Sequence, residues 1–285
     1  MNLTLRPGKP EDASACGVIE YEAFKAIADE HNFPPDFPSV EVATAVVSML
    51  LGHPGFYSVV AEVDGRIVGS NFLDERSTIA GLGPITVTPS MQNGQIGRRL
   101  MEEVLERATK RNFAGVRLVQ AAYHRRSLAL YAKLGFDVRE TLSGMQGAPI
   151  RAEIAGHHPR AGADADVAAC NHLCKRVHGF ERAGEVSDAL KDGLLRVVEH
   201  DGEITGYTTG VGWFTHTVAK TNDDLKALIG SADAYSGPGF LLPTRNTDLF
   251  RWCLAHGLRV VVQMTLMTIG LYNEPQGAYL PGVLY

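Results

Sequence analysis

The segment VAEVDGRIVG at residues 60–69 returns 137 residues later as VVEHDGEITG at residues 197–206, identical at six of ten positions. A repeat at that distance constrains the fold more than local propensity does, because the same supersecondary unit has to be built twice. In each copy an Asp-Gly pair separates two strand-like runs, the pattern of a tight hairpin whose turn needs positive φ. Helical stretches ending at Gly135 and at Gly257, each followed by a strand-like run, continue the parallel. Both glycines suit the left-handed residue that closes a helix. A chain of 285 residues lies at the upper edge of what one core supports. The repeat resolves this into two domains of the same plan, residues 1–155 and 156–285. The crossing falls in 152–162, where Gly156, His157, His158, Pro159 and Gly162 break periodicity.

Periodicity predicts a strand at 3–5, helices at 10–29 and 40–51, a hairpin of strands 57–63 and 67–73, and a strand at 82–88 closed by Pro89. The clearest helix is 94–111, with Ile96, Leu100, Val104, Leu105 and Ala108 on one face and i,i+4 charge pairs on the other. A strand at 116–121, a helix at 124–134 and a strand at 136–142 complete the first half. The order is α/β, with a mixed sheet flanked by helices.

Charge and composition exclude several classes. With 27 Lys and Arg against 32 Asp and Glu, the net charge of −5 provides no basic field for nucleic acid. No window approaches the roughly 20 apolar residues of a membrane span, and the N-terminus has no basic stretch leading into an apolar one. Four cysteines are too few for a disulfide scaffold, so a reducing cytoplasm fits best. Cys170, Cys174 and His178 share a helical face, but the outer two would lie about 12 Å apart at 1.5 Å per residue, so packing rather than metal binding is expected. No metal is expected.

The stretch from Ile85 to Leu100 joins a strand, a glycine-bearing turn and the start of the strong helix. A helix start carries unpaired amides and a positive dipole end, so such a turn can hold a phosphate. Arg98 and Arg99 have the wrong sign for that dipole end, at a cost of a few tenths of a kcal/mol, and a bound anion removes the conflict.

These residues resemble the GNAT superfamily of N-acetyltransferases. Val87-Thr88-Pro89 and Gln92-Asn93-Gly94-Gln95-Ile96-Gly97 stand where the family has Val-x-Pro and its Gly-x-Gly turn, although Gln95 occupies the usual first glycine. The family's second block, ending Leu-Tyr-x-x-x-Gly-Phe, is matched by residues 124–136, with His124 in place of Asn and Ser127 in place of Ala. The resemblance covers residues 1 to about 150. It implies acetyl transfer from acetyl-CoA to a primary amine of a small molecule, by direct attack in a ternary complex. In that reading Ile85 and Val87 offer backbone groups to the pantetheine arm and thioester. The turn from Gln92 to Arg99, with Asn93, Gly94, Gln95, Ile96, Gly97 and Arg98, takes the pyrophosphate, and His124 and Ser127 line the same site. Tyr131 protonates the departing thiolate, a phenol near 10 facing a thiol near 8.5. Asp74 and Glu75 are candidates for the base by position only.

In the second half the corresponding turn, 215–225, offers Thr221 or Asn222 as cap and Asp223 and Asp224 in the first turn, with no glycine and no arginine pair. Cys253 stands where the acid Tyr would be. The second copy therefore reads as a GNAT-like domain without cofactor chemistry, forming the amine-binding wall or a subunit interface, the latter compatible with a homodimer. Two other readings stay open: a non-catalytic acyl-CoA sensor or interaction protein, and a protein-lysine acetyltransferase. The tail, 271–285, is apolar enough to dock near a pocket or a partner.

Overall fold

The computed structural model describes residues 2–92 and 94–284. The first half runs β1 (Leu3–Pro7), α1 (Ala13–His31), α2 (Val40–Gly52), β2 (Phe56–Val63), β3 (Arg66–Asp74), β4 (Ile79–Leu82), β5 (Thr86–Val87), α3 (Ile96–Lys110), β6 (Gly115–Ala121), α4 (Arg125–Lys133) and β7 (Asp137–Gln146). The second half runs β8 (His158–Ala161), α5 (Val167–His178), α6 (Ala183–Lys191), β9 (Arg196–His200), β10 (Glu203–Thr208), β11 (Thr217–Ala219), α7 (Asn222–Gly230), β12 (Phe240–Pro243), α8 (Thr247–Ala255), β13 (Arg259–Gly270) and β14 (Ala278–Leu280).

The repeat is visible as geometry. Both hairpin turns place Asp and Gly at positive φ: Asp64 at 50° and Gly65 at 78°, Asp201 at 51° and Gly202 at 76°. Both hairpins also carry a bulge at the same place, opposite Ala61 and Glu62 in one and at Thr205 in the other. A second repeated device is too dispersed to see in a ten-residue window. Arg6 on β1 forks onto Asp12 at 2.7 and 2.9 Å and reaches Glu62 on β2 at 2.7 Å. Arg160 on β8 forks onto Asp166 at 2.6 and 2.9 Å and reaches Glu199 on β9 at 2.6 Å. Each Asp also accepts from the backbone three residues back, Lys9 or Ala163, and so fixes the entry into α1 or α5.

The sheets do not respect the halves. The nine-stranded sheet has the order β1-β2-β3-β4-β6-β13-β7-β12, with β5 on β3, and the five-stranded sheet is β14-β11-β10-β9-β8. Thus β13 lies between β6 and β7, pairing antiparallel from Met264 opposite Ala121 to Gly270 opposite Gly115. In turn β7 lies between β13 and β12. Each half lends its last long strand to the other. All pairings between the named strands are antiparallel except β4 with β6.

Helix α3 packs Ile96, Leu100, Val104 and Ala108 onto the first half's sheet as its spacing predicts, with Met101 also buried and Leu105, expected on that face, only partly so. Gly135 and Gly257 close α4 and α8 at φ of 98° and 84°. One expected element breaks: 82–88 is not one strand. Pro84 has no N–H for a ladder and Gly83 sits at φ 127°, so β4 stops at Leu82 and β5 restarts at Thr86. Cys170 and Cys174 are buried in the core between α5, α6 and the smaller sheet, and no cluster of three metal-binding side chains occurs among the described residues. No helix among them is long and apolar enough to cross a membrane.

Candidate functional site

The site begins where two parallel strands part. β4 and β6 pair from Ile79 opposite Gly115 to Gly81 opposite Arg117, and no further. Beyond that point β5 stays on β3, while β6 leans on β13. The wedge between them opens into a cleft of about 1140 Å³ that has Ile85 and Val87 on one wall and Leu118 and Gln120 on the other. Ile85 belongs to neither ladder, since the registers with β3 pass from Leu82 to Thr86.

The cleft runs over the start of α3. Among the described residues no side chain caps this helix, and no acid stands in its first turn. Its first amides and positive dipole end therefore await an anion. Gln95 occupies the capping position in the left-handed conformation, φ 64° and ψ 0°. That geometry favours glycine, and Gln95 accepts a cost of roughly 1 kcal/mol to turn the chain there. Gln92 ties the turn together. Its Nε2 donates to the Val87 carbonyl at 3.2 Å, and its Oε1 accepts from Arg126 on α4 at 2.9 Å.

Of the residues expected to bind cofactor, Ile85, Val87, Gln92, Gln95, Gly97, Arg98, His124 and Ser127 line the cleft, as does Tyr131. Ile96 does not; its side chain is 1% exposed, in the core, and only its backbone amide is available at the helix start. Gly94 and Arg99 are exposed beside the turn, off the cleft lining. Asn93 lies outside the described residues.

Tyr131 packs edge-on to Phe136 with ring centroids 6.2 Å apart, and burial pushes its phenol upward, so it is fully protonated at neutral pH. His124 is held down to about 4 by burial and by Arg126 and His31, and stays neutral. The Ser127 hydroxyl lies 3.0 Å from Gln120 Oε1 and 2.9 Å from the His124 carbonyl, which joins α4 to β6 at the cleft floor. The two carboxylates considered by position are otherwise engaged: Glu75 is held by Arg107 at 2.7 and 2.9 Å, and Asp74 by Arg76 at 2.6 Å. Neither lines the cleft.

Several lining groups were not foreseen. Glu20 on α1 is 1% exposed with neither oxygen hydrogen-bonded among the described residues, and burial pushes its carboxyl up to about 8. Its sequence signal was a carboxylate on the apolar stripe made by Cys16, Ile19, Ala23 and Ile27. From the second half come Trp213 and Phe214, and from the tail Val283 and Leu284. The tail is fastened by the Val283 amide donating to the Trp213 carbonyl at 2.9 Å, and Leu284 packs on the core under α1 and α2.

The corresponding place in the second half is closed. Thr221 caps α7, its hydroxyl accepting from the Asp224 amide at 3.3 Å, while Asp224 accepts from the Thr221 amide at 3.0 Å and from the Thr205 hydroxyl. Cys253 is buried, its thiol pushed up to about 12 by burial. Behind β10, Arg182 donates to Glu185 at 2.7 Å, His216 Nδ1 lies 3.1 Å from the same carboxylate, and the Tyr207 hydroxyl lies 2.9 Å from His216 Nε2. Burial opposes that charge, yet Arg182 and His216 keep the Glu185 carboxylate well below its usual range.

Two α/β halves that exchange a strand, with a splayed strand and an uncapped helix start in one of them, define a protein of the N-acetyltransferase fold. Residues 22–136 match the model of the acetyltransferase (GNAT) family. The family match thus lies within the first half of the chain. An "IAA acetyltransferase" of Azospirillum brasilense is 33% identical over 92 residues, 31% of this chain and 60% of that protein. The match thus spans less than two thirds of that curated relative. Among solved structures, a Pyrococcus horikoshii protein assigned as an acetyltransferase superposes over 99% of this chain and 94% of its own, with TM-score 0.76 and 17% identity. A GCN5-related N-acetyltransferase of Sphaerobacter thermophilus superposes over 95% and 96%, with TM-score 0.63 and 16% identity. A tandem GNAT protein from the clavulanic acid biosynthesis pathway covers 94% and 98%, with TM-score 0.57 and 15% identity. At these identities the likeness is one of fold.

Proposed function

We propose that the chain moves an acetyl group from acetyl-CoA to the primary amine of a small molecule. In this reading residues 1–155 form the catalytic domain, and residues 156–285 form a domain without cofactor chemistry that walls the acceptor site. The observation that carries the reading is that the cleft opened by the parting of β4 and β6 also takes in the start of α3, which has no acid in its first turn and no side-chain cap among the described residues. The donor set fits a pyrophosphate: Gly97 and Arg98 line the cleft in the first turn of α3, where helix-start amides and the dipole favour an anion, and Arg98 and Arg126 supply cations. Ile85, outside both ladders, has backbone groups free of strand pairing that can receive a pantetheine amide and the thioester carbonyl. Tyr131, protonated and at the cleft wall, gives its proton to the leaving sulfur. The second domain's part as wall rests on Trp213, Phe214 and the tail at the cleft.

CoA release is the direct assay, run on a panel of amines with wild type and Tyr131→Phe. Wild type should turn over at least one amine, and Tyr131→Phe should lower kcat about 100-fold or more with acetyl-CoA affinity unchanged. Binding of acetyl-CoA without turnover of any amine would replace the enzyme with an acyl-CoA sensor. An unaffected rate in the variant would remove Tyr131 as the acid and leave the reaction in place.

A further inference from the structure

The cleft is polarised along its length. At the α3–α4 end its lining carries Arg98, Arg126 and Lys133 beside the open helix start. At the other end, formed by α1, the loop after it, α2 and the second half, no Lys or Arg among the described residues lines the wall, and the only acids among them are Glu20 and Asp36. The remainder there is apolar, with Phe24, Phe37, Trp213 and Phe214 as its large surfaces. Such a wall suits an apolar body, and the acids suit one positive charge on it.

Glu20 is the group that stands out. A carboxyl 99% buried and with no hydrogen-bond partner among the described residues is costly to retain. The helix that carries it, α1, packs against β5. The Glu20 charge and a hydrogen bond from Ser70 both act on the neighbouring Cys16 thiol, and Ser70 Oγ lies 3.3 Å from Thr86 Oγ1 on β5. At the matching place in the second half, 154 residues on, stands Cys174, just as Cys170 matches Cys16 at that spacing. The half without an open cleft has no acid there.

We infer that the α1 end of the cleft takes a primary amine carried on an apolar group, and that Glu20 is the catalytic residue that receives its ammonium and removes a proton. The inference rests on the acetyltransferase reading above. The ionised Glu20 carboxylate takes one proton from R–NH3+, giving R–NH2 and the carboxylic acid, which later returns that proton to solvent. The amine lone pair then forms the C–N bond at the thioester carbon. The C–S bond breaks, sulfur takes the Tyr131 proton, and Tyr131 regains one from the new amide nitrogen. The sum is R–NH3+ plus acetyl-CoA giving the amide, CoA–SH and one H+. Burial puts the Glu20 carboxyl at about 8, a suitable range for a base that must also release its proton.

The test compares 2-phenylethylamine with ethanolamine as acceptors for wild type, Glu20→Gln, Glu20→Asp and Phe214→Ala, with acetyl-CoA affinity measured alongside. Wild type should favour 2-phenylethylamine in kcat/KM by about 50-fold, from burial of the ring. Glu20→Gln should lower kcat about 100-fold with acetyl-CoA affinity unchanged, and Glu20→Asp should fall between. Phe214→Ala, at an exposed position where folding is not at stake, should raise KM for 2-phenylethylamine about tenfold, more than it raises KM for ethanolamine. Equal use of the two amines, or a Glu20→Gln enzyme with more than half the wild-type kcat, overturns the inference and leaves the acetyltransferase standing. Turnover of neither amine by an enzyme that acetylates others likewise overturns the inference alone, whereas turnover of no amine at all overturns both.

Discussion

The two halves share a frame and differ in what they do with its openings. Arg6–Asp12–Glu62 and Arg160–Asp166–Glu199 tie the first strand, the first helix and the hairpin together in the same way. In both pairs the Arg holds its Asp carboxylate below the usual range. At the helix that follows the splayed region the likeness ends. α3 starts with Gln95 in a left-handed turn and no acid, whereas α7 starts with a Thr221–Asp224 capping box that satisfies its own amides. Cys174 stands for Glu20 and Cys253 for Tyr131. The ties that shape the fold are kept twice, and the groups that would meet a ligand occur once, which separates structure from chemistry within a single chain.

The sharpest way to break this comparison is to separate the halves. A chain of residues 1–155 lacks β13 and leaves β6 and β7 unpaired through the middle of the sheet, a long apolar edge exposed to other chains. It should aggregate or stay unfolded, as judged by sedimentation and far-UV circular dichroism. A soluble, folded and active monomer would show that the exchanged strand is dispensable.

A smaller effect sharpens the contrast between Glu20 and Cys174. Glu20 has its folded value raised to about 8 from near 4.5, so between those values the native state binds the extra proton. Its contribution is therefore present at low pH and is lost as pH rises through about 8, with a slope of up to about 1.4 kcal/mol per pH unit. Glu20→Gln should gain stability relative to wild type between pH 5 and pH 9 in urea denaturation, while Cys174→Ser should show no such trend over pH 5 to 8. The smallest effect concerns the turn itself. Gln95→Gly relieves a left-handed backbone and should raise stability by about 0.5–1 kcal/mol, a shift of about 2 °C in Tm. A loss of stability would mean that the Gln95 side chain does more than fill the turn.

Much of the frame could be read from the residues. The Asp-Gly hairpins, the apolar face of α3 and the glycines after α4 and α8 depend on local periodicity and turn chemistry, and they fell where expected. The strand exchange could not be read, because an alternating strand such as β13 has the same pattern whichever neighbour it pairs with. The break at Gly83 and Pro84 was visible in principle, since a proline inside an apparent central strand argues against it. At the cleft, the turn before α3 and Tyr131 belong to contiguous motifs, whereas Glu20, Trp213 and Leu284 meet only through tertiary packing. Glu20 did leave a local trace, as an acid where α1 should have been apolar.

The central claim is that one half alone holds the acyl donor, and calorimetric titration of the full chain with acetyl-CoA tests it. Gly97→Asp is the paired variant: a Cβ at Gly97 would meet only Val87 and Leu130 at 3.8 and 4.0 Å, so the protein should fold, with a carboxylate set where the pyrophosphate would lie. The account predicts one acetyl-CoA per wild-type chain and at least about 100-fold weaker binding in Gly97→Asp, by repulsion and loss of the anion site. Two molecules bound per chain, or wild-type affinity in a folded Gly97→Asp, would contradict it.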